Sequence, residues 1–234
     1  MRSPIIAASV LACLAACGGS DKSPGTVNPQ NARTSIDQVG RVDDALATSD
    51  GGSAAAAVAA MTAAGQGIVS PAAPGGRLIG LAPDHLPRPL VSSAATGTAN
   101  CTPTGCTFTN FGDDTPGNAW TIDGTISKAG DTITFDLSYD VTSGGTTIAW
   151  TIDGAVTVTT TSLDGSIHST GTSSGGAGGN VSWDVDVDYQ DVQLDGSGCP
   201  IGGSVHAATS YEFGPGGYAV EGTVTFGPAC GQSS

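Results

Sequence analysis

The sequence predicts an all-β protein: an antiparallel meander of about eight or nine strands, a curved sheet closing to a sandwich or barrel-like shape, behind a short N-terminal helical stalk. Three observations predict it. Between Trp120 and Phe226 apolar and polar residues alternate with a period of two, the pattern of strands with one buried face. The alternating runs are separated by Gly-, Ser- and Asp-rich tetrads, among them Lys128-Ala129-Gly130-Asp131, Thr142-Ser143-Gly144-Gly145 and Gly214-Pro215-Gly216-Gly217. The stretch from 101 to 230 is roughly 130 residues, enough for a single core.

Pairing the runs about these turns is constrained by the faces. Ile126 opposite Ile133, Ile122 opposite Leu137 and Trp120 opposite Tyr139 put every apolar residue on one side. Tyr139 opposite Ile148, Leu137 opposite Trp150 and Phe135 opposite Ile152 extend the same face to a third strand. A slip of one residue would turn these side chains to solvent. WTIDGTI (120–126) recurs as WTIDGAV (150–156). A turn at Asp153-Gly154 would split Ile152 from Val156, so Gly124 and Gly154 are read as glycines inside strands, placed for a kink, a bulge or packing under an aromatic ring.

Taken in order, the chain opens with Arg2 and an apolar run from Pro4 to Ala16, too short to span a bilayer, followed by Leu14-Ala15-Ala16-Cys17. This resembles the signal sequence and lipobox of bacterial lipoproteins. The resemblance implies a signal peptide over 1–16, cleavage before Cys17, and a diacylglyceryl group on the Cys17 sulfur, usually with a further acyl chain (such as palmitate) on the new amino group. Two or three acyl chains satisfy the condition for stable anchoring. Gly18 directly after the cysteine favours the outer membrane under the sorting rule of enterobacterial lipoproteins. The implied place is the bacterial cell envelope, with the membrane a partner through the lipid anchor.

Residues 17–34 follow as a lipidated tether of Gly, Ser, Pro and Asn without periodicity. Over 35–66, Thr34 or Ser35 is placed to cap a helix carrying Ile36, Val39, Val42 and Leu46. The alanine run from Ser53 to Ala64 is either its hairpin partner or a low-complexity spacer. Residues 67–100 are rich in Pro and Gly and read as a linker, with Leu78-Ile79-Gly80-Leu81 available to dock on the sheet.

The β domain, 101–230, holds Cys101, Cys106, Cys199 and Cys230, an even set that an exported chain uses for disulfides. Extrapolating the last hairpin, with Phe213 opposite Tyr218 and Val205 opposite Phe226, brings Cys199 within two residues of the position facing Cys230. The pairs expected are therefore Cys199 with Cys230, and Cys101 with Cys106. In the second half Trp183, Val185, Val187 and Tyr189 share a face, whereas Val192 and Leu194 have the other parity, which places a bulge or corner near Gln190-Asp191.

Residues 101–234 carry thirteen Asp, two Glu and one Lys, a net charge of −14. Such a surface repels nucleic acid and anionic headgroups and suits cationic ligands or envelope proteins with basic faces. The one metal candidate is the ladder Asp184, Asp186, Asp188, with neighbours about 6.8 Å apart on a rise of ~3.4 Å per residue. That is wide for one ion, so Ca2+ would need loop carbonyls as well. The bland reading is a solvated outer face that resists edge pairing. The run Gly175 to Asn180 resembles the calcium nonapeptide of RTX proteins, with Asn180 where Asp belongs and no second copy.

No nucleophile elbow or HExxH is present, and His85, His168 and His206 are far apart in sequence. The expectation is a binding or structural module without catalysis. Two alternatives stand beside it: a hydrolase of envelope or extracellular polymers using Asp carboxylates, and a small outer-membrane β-barrel.

Overall fold

The computed structural model describes residues 26–27, 29–30, 32–37, 39, 69–70, 96–102, 104–116, 118–175 and 180–234. The expected signal peptide, Cys17, Val42, Leu46, the alanine run, Leu78 to Leu81 and His85 lie outside them.

Nine strands form one antiparallel meander: β3 (Thr96–Thr102), β4 (Gly105–Asp113), β5 (Asn118–Ala129), β6 (Thr132–Ser143), β7 (Thr146–Val158), β8 (Ser162–Gly175), β9 (Val181–Leu194), β10 (Pro200–Phe213) and β11 (Gly216–Thr225). β3 begins inside the stretch expected to be linker. Each strand pairs with its chain neighbours in the order β11 to β3, and no ladder joins β11 to β3. Of the expected sandwich or barrel-like closure, the barrel is not formed among the described residues, and the sheet is open.

The faces follow the parity of the sequence, but the register does not. Ile126 pairs with Phe135 rather than Ile133, Trp120 with Val141 rather than Tyr139, Tyr139 with Trp150 rather than Ile148, and Val205 with Val224 rather than Phe226. Each partner moves by two residues because the loops are two residues long. Gly130, Gly144 and Gly214 open them with φ of 62°, 59° and 56°. Such turns match the right-handed twist of the flanking strands, which a four-residue loop would not enforce. An even slip leaves the buried set unchanged.

That set forms one cluster, with Ile126, Phe135, Leu137, Ile152, Ile167, Val187 and Val205 at its centre, each with at most 1% of its surface exposed. The repeat glycines lie within strands as expected. At Gly154 a Cβ would meet the Phe135 ring at 2.9 Å, so the absent side chain makes room for that ring.

Parity changes at the expected place. Gln190 and Asp191 together face Asp164, Asp191 adopts φ 49°, and its backbone N–H donates to Asp164 Oδ2 at 3.0 Å. A second bulge was not anticipated. Thr109 and Asn110 face Asp123, Asn110 has φ 45°, and its N–H donates to Asp123 Oδ1 at 2.7 Å. In both, the carboxylate precedes a strand glycine, Gly124 or Gly165, and satisfies the donor that the bulge frees.

Helical residues are described from 29 to 39, so Thr34 and Ser35 lie within the helix and do not cap it. The Thr34 hydroxyl donates to the Gln30 carbonyl at 3.0 Å, an interior arrangement. Ala32, Ser35, Ile36 and Val39 are buried, at the i, i+3, i+4, i+7 spacing of one helical face, and Ser35 Oγ hydrogen-bonds the hydroxyl of Tyr189 on β9. Two short strands in the expected tether and linker, β1 (Thr26–Val27) and β2 (Val69–Ser70), pair with each other, and β1 lies against β11.

Both expected disulfides are present. Cys101 and Cys106 face one another across the β3–β4 hairpin with Cα atoms 4.1 Å apart, and Cys199 joins Cys230 at 5.6 Å. Asp195 prepares the second bridge. Its Oδ1 accepts from the Ser197 N–H at 2.8 Å and the Cys199 N–H at 3.0 Å, folding the β9–β10 turn. These bonds, that from the Ser197 hydroxyl foremost, hold its carboxyl below the usual range.

Candidate functional site

The solvent face of the sheet is made by the residues between the core positions, and its cross-strand rows determine which charges meet. One row runs Asp136, Asp153, His168, Asp186 across β6 to β9. The next runs Ser138, Thr151, Thr170, Asp184, Ser210 across β6 to β10. A third places Asp140, Ala149, Thr172, Ser182 and Glu212 side by side. The second and third rows, with Tyr139, Trp150, Gly171 and Trp183 between them, line a groove of about 700 Å³ whose charged groups are Asp140, Asp184 and Glu212. Thr151 and Thr170 hydroxyls hydrogen-bond across it at 3.0 Å.

The Asp184, Asp186, Asp188 ladder is on this face, but it is not one unit. His168 Nε2 lies 3.5 Å from Asp184 Oδ2 and 3.9 Å from Asp186 Oδ1, and its Nδ1 lies 3.4 Å from Asp153 Oδ1. Asp188 turns instead to His206 Nδ1 at 3.7 Å, and His206 Nε2 meets Glu221 Oε1 at 3.1 Å. Two imidazoles thus divide the ladder. Partial burial opposes charge on His168, but the hydrogen bond to Asp184 and the charges of Asp186, Asp153 and Asp184 outweigh it and raise its pKa above 6.5.

His168 was missed as a partner because distance in sequence is a poor guide across a hairpin. The signal existed. Pairing β8 with β9 about the glycines near 175–180 puts even-numbered His168 opposite even-numbered Asp186. The middle of the glycine run, 176–179, lies outside the described residues. Cys199 and Cys230 lie near Asp195, but their sulfurs are joined to each other and are not available as thiolates. Glu212 and Glu221 are exposed, as parity requires. Glu212 also lines the groove.

The chain matches no family model, no curated protein and no solved structure. What the face can do must follow from its chemistry. Among the described residues the buried polar side chains are Ser35, Ser169 and Thr209, and no carboxylate is among them. Asp184, Asp186 and Asp188 have side chains 50, 54 and 47% exposed. Carboxyl groups this open to water are suited to holding a cation by charge. No helix among the described residues is long and apolar enough to cross a membrane.

Proposed function

We propose that this chain is a lipid-anchored envelope lipoprotein whose acidic sheet face binds a cationic ligand or the basic surface of an envelope protein, without catalysis of its own. The observation that carries the reading is the groove: hydroxyl-bearing and small side chains line it together with Tyr139, Trp150 and Trp183, while Asp140, Asp184 and Glu212 supply its charge, and Lys128 is the single basic residue between 101 and 234. A polyamine or lysine-rich peptide finds there spaced carboxylates and hydrogen-bonding hydroxyls. The lipobox ending at Cys17 supplies the anchor, acylated and resident in the outer membrane. The rival hydrolase reading requires convergent buried carboxylates, and the exposure of the described acids supports the binder instead.

Hexalysine titrated into the full chain tests the binding half. Affinity should fall steeply as salt rises, and should drop about tenfold in the double variant Asp140→Asn/Glu212→Gln, at roughly 0.5–1 kcal/mol per partly exposed charge pair. Equal affinity for the variant removes the groove from the reading. Palmitate labelling tests the anchor: label that persists in Cys17→Ser contradicts it.

A further inference from the structure

The row that carries His168 makes a demand that the cationic-ligand reading does not meet. A neutral imidazole has one N–H and one lone pair. Asp153 Oδ1, on β7, lies 3.4 Å from Nδ1, and the tautomer that donates Nδ1–H to it leaves Nε2 free to ligate, whereas the other tautomer and the imidazolium donate Nε2–H to Asp184. In the first tautomer Nε2 turns its lone pair toward Asp184 Oδ2 at 3.5 Å and Asp186 Oδ1 at 3.9 Å, both on β9. In the tautomer with the proton on Nδ1, three electron-rich atoms converge, an arrangement that a proton or a metal ion satisfies. We propose that His168, Asp184 and Asp186 form a binding site for a divalent transition ion of the zinc type, with Asp153 as the residue that positions the imidazole.

Geometry and donor chemistry agree on the class of ion. The three ligand atoms lie within 4.8 Å of one another. A tetrahedral ion with bonds of 2.0–2.2 Å sets its ligand atoms about 3.4 Å apart, a closure that side-chain rotation achieves without moving the sheet. An imidazole held by a carboxylate on its other nitrogen is the usual support of a metal-bound histidine, because it fixes the tautomer and raises the basicity of the ligating nitrogen. Calcium fits poorly, as it asks for six to eight oxygen ligands and makes no use of imidazole. Asp184 also lines the groove, so an external ligand has room at the remaining coordination position. The second histidine makes the contrast. Each nitrogen of His206 meets a different carboxylate, Asp188 or Glu221, so no single nitrogen has two carboxylates converging on it.

The test is calorimetric titration of the full chain, stripped by chelator, with Zn2+ and separately with Ca2+. One saturable Zn2+ site is expected, with Ca2+ weaker by at least about 100-fold. His168→Gln should abolish the site, Asp153→Asn should weaken it about tenfold, and His206→Gln should leave it unchanged. Circular dichroism on each variant establishes that the sheet is intact. Zn2+ binding that survives His168→Gln, that is lost in His206→Gln, or that Ca2+ matches would overturn the assignment, as would no saturable binding. Hexalysine affinity is read on the same His168→Gln protein, so loss of the metal site and loss of the cationic-ligand site are separate results.

Discussion

His168 shows how one side chain can tie the stability of an acidic sheet to pH. Its pKa is raised in the fold, so the folded chain holds the proton more tightly than the unfolded chain does. The stabilisation is complete below about pH 6.5 and is lost as pH rises through the raised value. In chelator, the unfolding midpoint should therefore decline as pH rises above about 6.5 in the native chain, and the decline should shrink in His168→Gln. A pH response identical in the two proteins would contradict this.

Asp164 and Asp191 offer a second case at the residue scale. Asp164→Ala removes the acceptor of a bulge N–H and should cost about 1–2 kcal/mol in denaturant unfolding. Asp191→Gly, at φ 49°, should be neutral to within about 0.5 kcal/mol, since glycine accepts that backbone without strain but gains unfolded-state entropy. Thr209 tests the opposite situation. Its buried hydroxyl has no partner among the described residues, so Thr209→Val should hold or raise stability, by up to about 1 kcal/mol.

At the scale of elements, the sequence was legible wherever a two-residue period decides the outcome. The buried faces, the strand glycines at 124 and 154 and the corner at Gln190-Asp191 all rest on parity. Register was not legible, because shifts of two residues give the same faces and only the turn geometry separates them. The Asn110 bulge was hidden for a related reason: a few residues of β4 were too short a run to show a change of parity. The helix was seen through Ile36 and Val39 but started too late. Ala32, one turn earlier, carries little hydrophobic signal although it is fully buried. The contact from Ser35 to Tyr189 joins this helix to β9. Burial raises the Tyr189 pKa, and the bond to Ser35 partly offsets it. Tyr189→Phe removes the bond between the two hydroxyls and should cost about 0.5–1.5 kcal/mol.

At the scale of the whole molecule, an open sheet with one heavily acidic face needs restraint beyond its core, and the two disulfides supply it. The Cys199–Cys230 bridge spans 31 residues and the Cys101–Cys106 bridge spans 5. Loop-closure entropy then predicts about 3.5 kcal/mol for the first and about 2 kcal/mol for the second. Cys199→Ser/Cys230→Ser should lower the unfolding midpoint more than Cys101→Ser/Cys106→Ser. The candidate site was half legible. Sequence alone identified the acidic β domain and the Asp184, Asp186, Asp188 face, whereas the groove and the insertion of two imidazoles into the ladder depend on which strands become neighbours.

The central claim is that the acidic outer face is the binding surface. Amide chemical-shift mapping of the isotopically labelled chain with hexalysine tests it most directly. The account predicts perturbations at Ser138, Asp140, Thr170, Thr172, Ser210 and Glu212, spread over β6, β8 and β10 and reversed by salt. Perturbations confined to the free edge at β3, or to the β1–β2 pair, would contradict it.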